Sequence, residues 1–156
     1  MTQTRQATPR RRYPAAPVVG VGGVVVRGDK VLLVQRGREP AKGIWSIPGG
    51  AVELGEGCRQ ALAREIQEET GLEVQVGPLI EVVDRILADQ EGRIEYHYVL
   101  IDYLCLSPQG EARAASDAAQ VRWVEAARLE QAQLTEDTLR VIRRGLELGQ
   151  QKGWNM

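Results

Sequence analysis

Apolar residues follow two rhythms along this chain. The stretch VVGVGGVVV from Val18 is almost unbroken. It stops at Arg27-Gly28-Asp29-Lys30 and resumes as VLLVQR. Short aliphatic runs around a Gly-Asp pair predict strand, tight turn, strand. GREPAKG, Gly37 to Gly43, reads as a loop, and IWSIPGGAVEL as a short strand broken by Pro48-Gly49-Gly50. The rhythm then lengthens. Leu62 and Ile66 stand one turn apart, Cys58 and Thr70 extend the line, and Gly71 supplies a stop. That period predicts a helix over 57–70.

Beyond Leu72 the pattern shortens again. LEVQVGPLIEVVDRIL predicts one or two strands, and RIEYHYVLIDYLCL one long strand rich in β-branched and aromatic residues. LSPQGEARAASDAAQ reads as a loop, VRWVEA as a strand, and 126–132 as a short helix. Thr135 to Leu148 is amphipathic, with Leu139, Val141, Ile142 and Leu146 inward and arginines outward. Thr135, followed by Glu136 and Asp137, suits a helix start. The order β-β-β-α-β-β-β-α predicts an α+β (mixed α/β) fold, with helices covering a mixed sheet. No internal repeat or second domain is visible.

Composition sharpens this. At 156 residues and 43% hydrophobic, the chain makes one domain with a real core, built without phenylalanine. A basic, Pro-containing arm is expected over 1–16, a folded domain over 17–150 and a short tail over 151–156. Apart from Arg5, Arg10, Arg11 and Arg12, the chain has 16 bases against 21 acids. Such an arm is expected to be a flexible terminus, and nucleic acid is not the expected partner. Cys58 and Cys105 are far apart and form no metal-type pair. With no secretory run and no membrane-length run, the expected location is the cytoplasm.

The chemistry concentrates in the first helix. Glu65, Glu68 and Glu69 lie at i, i+3 and i+4, so they share a face and repel. A solvated surface explains such a face. So does a hard cation such as Mg²⁺ or Mn²⁺, which takes oxygen ligands.

The spacing around them decides. Gly50 is followed after five residues by Glu56. Seven more lead to Arg64-Glu65, then Ile66, Gln67, Glu68-Glu69, Thr70, Gly71 and Leu72. This run of 23 residues resembles the signature of the Nudix hydrolases at every fixed position. The resemblance covers roughly residues 17–148 and implies a Nudix fold, an α/β/α sandwich around a mixed sheet. It implies a Mg²⁺- or Mn²⁺-dependent pyrophosphohydrolase acting on a nucleotide. Glu65, Glu68 and Glu69 would hold metal with the Gly50 carbonyl. Arg64 would orient the acids through Glu56 or Glu68, and Gly71 would close the helix. For the general base it leaves a helix glutamate or a loop acid, Asp117 before Glu111. Arg36 would meet a substrate phosphate through its fork. Trp45 is expected either to wall the pocket or to pack beneath the sheet. His97 and the tyrosines 96, 98 and 103 are expected as core or edge residues first, with base stacking as their other use.

The runs GREPAKGIWSIPGGAVELGE and YHYVLIDYLC are most similar to short bacterial ADP-ribose pyrophosphatase-like members. That favours ADP-ribose, cleaved to AMP and ribose 5-phosphate. The alternative is a pyrophosphatase for (oxidised) nucleoside triphosphates. A non-catalytic nucleotide sensor is the minor one, and it would be expected to have lost signature acids that are all present here. By analogy with relatives a homodimer is expected, with VVGVGGVVV as an interface strand.

Overall fold

The computed structural model describes residues 10–39 and 41–154. The first nine residues of the expected arm, Pro40 and the last two of the tail lie outside the described residues. Strands β1 (Val18–Arg27) and β2 (Lys30–Arg36) form the hairpin that the Gly28-Asp29 turn predicts. Gly28 adopts φ 59°, as a tight hairpin turn requires. The hairpin is paired only at its closed end, Val26 with Val31 and Arg27 with Lys30. It then splays. The open side of β1 takes β4 (Gly49–Ala51), and the open end of β2 takes β3 (Trp45–Ser46). The two short strands flank Pro48, so the single broken strand expected here is two separate ones.

β5 (Gln75–Ala88) and β6 (Ile94–Leu106) form a long antiparallel hairpin, and β6 runs parallel to β1 over Val18 to Val26. β7 (Ala118–Glu125) lies antiparallel to β2. The fold is α+β, a mixed sheet between two helices. The Leu72–Leu87 stretch makes one strand, with register shifts around Leu79. It carries Pro78, which suits its place at the sheet edge. β1 is central, with neighbours on both sides. That corrects the expectation that VVGVGGVVV supplies a dimer strand, because its backbone groups are already spent within the sheet.

Strand alternation sorts the aliphatics to two cores. Helix α1 (Cys58–Thr70) seals one with Ala61, Leu62 and Ile66 against Val21, Val25, Leu32 and Cys105. Burial pushes the Cys105 thiol up to about 12, so it behaves as a small hydrophobe. A 3-10 turn (Ala126–Gln131) leads to helix α2 (Glu136–Gln151), which closes the other core with Val141 and Ile142 over Val24, Val26, Leu33 and Leu104. The Thr135 side chain accepts a bond from the Thr138 N–H, the start read from sequence. α2 runs past Leu148, and Trp154 of the expected tail packs against this core. Nor is the described part of the arm loose: the Tyr13 hydroxyl donates to Asp89 at 2.8 Å, and Arg12 pairs with Glu95. Among the described residues no helix is long and apolar enough to cross a membrane.

Candidate active site

The glutamate row is built where β4 meets α1. β4 must be glycine-rich because the β1 backbone crowds Gly49 and α1 crowds Gly50. A Cβ on Gly49 would lie 2.0 Å from the Val21 carbonyl oxygen. One on Gly50 would lie 2.3 Å from the Glu65 carboxyl carbon. Glu65 therefore rests directly on the Gly50 backbone. α1 ends at Gly71, left-handed at φ 73°, whose N–H closes on the Gln67 carbonyl at 2.8 Å.

Arg64 organises the acids. Its Nε and Nη2 donate to both oxygens of Glu56 at 2.7 and 2.9 Å. Its Nη1 donates to Glu65 at 3.0 Å and Glu68 at 3.3 Å, and Nη2 reaches the Ala51 carbonyl. The fork holds the Glu56 carboxyl down to about 2. Glu56 thus anchors Arg64, and Arg64 steadies the row. Glu65 is pushed up, chiefly by burial, against the pull of Arg64; the charge of Arg11 also lowers it. The charge of Arg11, in the described part of the arm, is thus felt at the site, which composition alone does not disclose.

Glu69 is the buried member, 7% exposed. Burial, and next the charge of Glu65, push its carboxyl up to about 8. The Gly49 N–H lowers it, Asp117 raises it and Arg36 lowers it. Asp117 and Arg36 thus face the same carboxylate. The loop before β7 explains how Asp117 arrives there. Its Ala115 and Arg113 N–H groups cap the Glu69 and Thr70 carbonyls of α1 at 3.0 and 2.9 Å, and the Gly37 N–H bonds the Asp117 carbonyl at 2.8 Å. Arg38 pairs with the Asp117 carboxylate at 2.9 Å. Arg38 belongs to no motif in the sequence; its place two residues after Arg36, just past the end of β2, is the one signal for it.

Two candidates fall elsewhere. Trp45 does not wall the site. It is buried in the core under α2, with Arg122 over its ring at 4.3 Å. This corrects the pocket reading and matches the packing alternative: its apolar surface is spent against Leu33, Leu129 and Ala132. Glu111 is exposed and pairs with Arg113.

The NUDIX domain profile matches residues 16–145 of this chain. The chain belongs to the Nudix family. An ADP-ribose pyrophosphatase of Methanocaldococcus jannaschii is 35% identical over 70% of this chain and 62% of its own length. The CTP pyrophosphohydrolase of Escherichia coli is 41% identical over 47% of this chain and 53% of its own length. The chain thus spans less than two thirds of either Nudix relative. The Nudix domain of Shewanella oneidensis NrtR, solved with ADP ribose, superposes with a TM-score of 0.69 at 26% identity, covering 85% of this chain and 88% of that one.

Nudix hydrolases generally use divalent metals. Among the described residues no three acidic, histidine or cysteine side chains converge closely enough to enclose an ion, since Glu65 and Glu68 are drawn to Arg64. The donor set nonetheless fits one. Glu65, Glu68, Glu69 and the Gly50 carbonyl offer only oxygen, and Glu69 is crowded by the like charges of Glu65 and Asp117.

Proposed function

We propose that this chain hydrolyses the phosphoanhydride of a nucleoside diphosphate linked to a second group, with ADP-ribose preferred and AMP and ribose 5-phosphate as products. The observation that carries it is the buried Glu69, crowded by Glu65 and Asp117 and faced by Arg36. Repulsion of that kind is tolerated where a cation and a phosphate arrive together. Mg²⁺ or Mn²⁺ bound there supplies charge neutralisation and an acidified water.

The chain's residues divide the remaining work. Glu65, Glu68, Glu69 and the Gly50 carbonyl hold the cation. Arg64 keeps Glu65 and Glu68 in place, with Glu56 as its anchor. The Arg36 fork meets the diphosphate oxygens. Water forms a bond to one phosphorus as the bridging P–O bond breaks. Its proton passes to a carboxylate, Glu65 or Asp117, and the second phosphate leaves.

The ADP-ribose preference is supported by the Methanocaldococcus jannaschii relative and the ADP ribose-bound NrtR domain. The similarity to a CTP pyrophosphohydrolase favours a second reading, hydrolysis of (oxidised) nucleoside triphosphates to monophosphates. A substrate panel with Mg²⁺ and Mn²⁺, products separated by chromatography, tests both. AMP and ribose 5-phosphate well above all other products are expected. Pyrophosphate from a triphosphate as the main product would replace the first reading with the second. Tight binding of one nucleotide with no turnover would make the chain a sensor.

A further inference from the structure

We propose that Asp102 reads the nucleobase, accepting a hydrogen bond from its exocyclic amino group, so that amino-bearing bases are selected over their keto counterparts. This deepens the nucleotide reading above and rests on it.

The sheet face under α2 is only partly covered. Tyr96, Tyr98, Leu100, Asp102 and Leu104 alternate onto that face of β6. α2 covers Leu104, while Leu100 and the two tyrosines remain half-buried. The two tyrosine rings lie parallel within 12°, with centroids 6.3 Å apart. On β1 the matching positions are Gly20 and Gly22, which carry no side chain. A Cβ would sit 2.9 Å from Leu100 Cδ2 at Gly20 and 2.4 Å from Asp102 Oδ1 at Gly22. On β5, Val83 stands opposite Leu100 and Glu81 opposite Asp102. The result is an aromatic and aliphatic platform that ends in a carboxylate.

That carboxylate accepts no hydrogen bond from the described fold. Asp102 is 6% exposed, and no described residue donates a hydrogen bond to it. Its neighbour Glu81 takes Arg140 and Arg144 on Oε2, at 3.3 and 2.8 Å, and leaves Oε1 buried without a partner. Both arginines donate to Glu81; Arg140 acts on Asp102 only through its charge, against burial and the charge of Glu81. Among the described residues the sealed orphan is Glu81 Oε1; the Asp102 oxygens keep contact with solvent, so a ligand can bring them a donor.

Position gives the class of ligand. Asp102, Gly22 and Gly49 lie side by side on three adjacent strands, β6, β1 and β4. Two strand spacings, about 10 Å, separate Asp102 from Gly49, whose N–H bonds Glu69. That separation suits a nucleoside with its base edge at Asp102 and its diphosphate at the glutamates. Ile47 lines the path between them, against Gly22. A carboxylate only accepts hydrogen bonds. The amino group of adenine, cytosine or guanine supplies the donor, whereas hypoxanthine turns a carbonyl oxygen towards it. Sites that hydrogen-bond a substrate group reject the analogue lacking it far better than apolar pockets do.

The test compares AMP with IMP binding by calorimetry, and turnover of ADP-ribose with its hypoxanthine counterpart in Mg²⁺. It uses the wild type and Asp102→Asn, whose amide has the same shape but can donate to a carbonyl. The wild type is expected to favour adenine at least tenfold in both assays, and Asp102→Asn to bring the ratio near unity or invert it. Equal handling of both bases by the wild type, or an unchanged ratio in a folded Asp102→Asn, overturns the assignment and leaves the hydrolase intact. Adenine-selective binding that depends on Asp102, with no turnover of any nucleotide, keeps the assignment and removes the hydrolase.

Discussion

At the scale of single residues, the site is a set of conflicts held in place by packing. Glu69 is the sharpest. Its carboxyl is pushed up to about 8, from 4.5, first by burial and next by Glu65. A carboxyl raised in the folded state gives stability that is full below the unfolded value and lost as pH rises through the folded one. Without divalent metal, the melting temperature is therefore expected to fall between roughly pH 4.5 and 8. In Glu69→Gln that fall should largely vanish, and Mg²⁺ should no longer raise the melting point. Turnover should drop by about a hundredfold or more, as losing a key electrostatic group does, with the circular dichroism spectrum unchanged. Full activity in the folded variant would remove Glu69 from the site. Gly50 gives a second case. Its α-hydrogens leave the room that the Glu65 carboxyl occupies. Gly50→Ala should displace Glu65 and cost most of kcat, while the melting temperature moves by a few degrees. Normal kinetics in that variant would show that Glu65 works from another position.

At the scale of elements, the segment from Ser107 to Asp117 is a strap tied at three points. Arg27 donates to the Ser107, Gln109 and Gly110 carbonyls at 2.6 to 2.8 Å, with its guanidinium over Trp123 at 4.5 Å. The end of α1 takes the Arg113 and Ala115 N–H groups, and Gly37 takes the Asp117 carbonyl. Arg27→Ala should free the first tie. Cleavage after Arg113 by trypsin under native conditions should quicken severalfold, and KM should rise as Asp117 and Arg38 lose their setting. Unchanged proteolysis would show that the other two ties suffice. The strap also marks what could be read in advance. Both helices, the hairpin turn and the long β6 were legible because apolar period and glycine placement are local signals. The glutamate row was legible because one helix and its feeding turn carry all of it. Arg38, Arg11 and the tie through Arg27 were not, because each depends on a partner distant in sequence. Trp45 was ambiguous for the same reason: an aromatic residue before a glycine turn suits a pocket wall as well as a core, and only the position of Leu129 and Ala132 decides.

At the scale of the whole molecule, the splayed hairpin and the exposed edge matter most. β5 is an edge strand of 14 residues. Val82 and Ile86 on it are 54% and 53% exposed, and Ile94 across the hairpin 45%. A long apolar edge invites pairing with another strand. If the chain is dimeric, this hairpin rather than β1 is the expected contact. Sedimentation should then show a dimer that Val82→Glu with Ile86→Glu converts to a monomer. A dimer that survives both charges would place the contact elsewhere. The parallel pairing of β1 with β6 bears on how the protein comes into being. Val18 meets Tyr98, partners roughly eighty residues apart. The buried side of α1 rests partly on Cys105 of β6, whose sulfur lies beside Gly23 under Ile66 and Leu62. During synthesis the ribosome therefore releases the acidic helix long before the strand that completes its floor. A nascent chain halted before β6 would hold all three glutamates and still leave α1's greasy side partly bare, a substrate for chaperones instead of an enzyme.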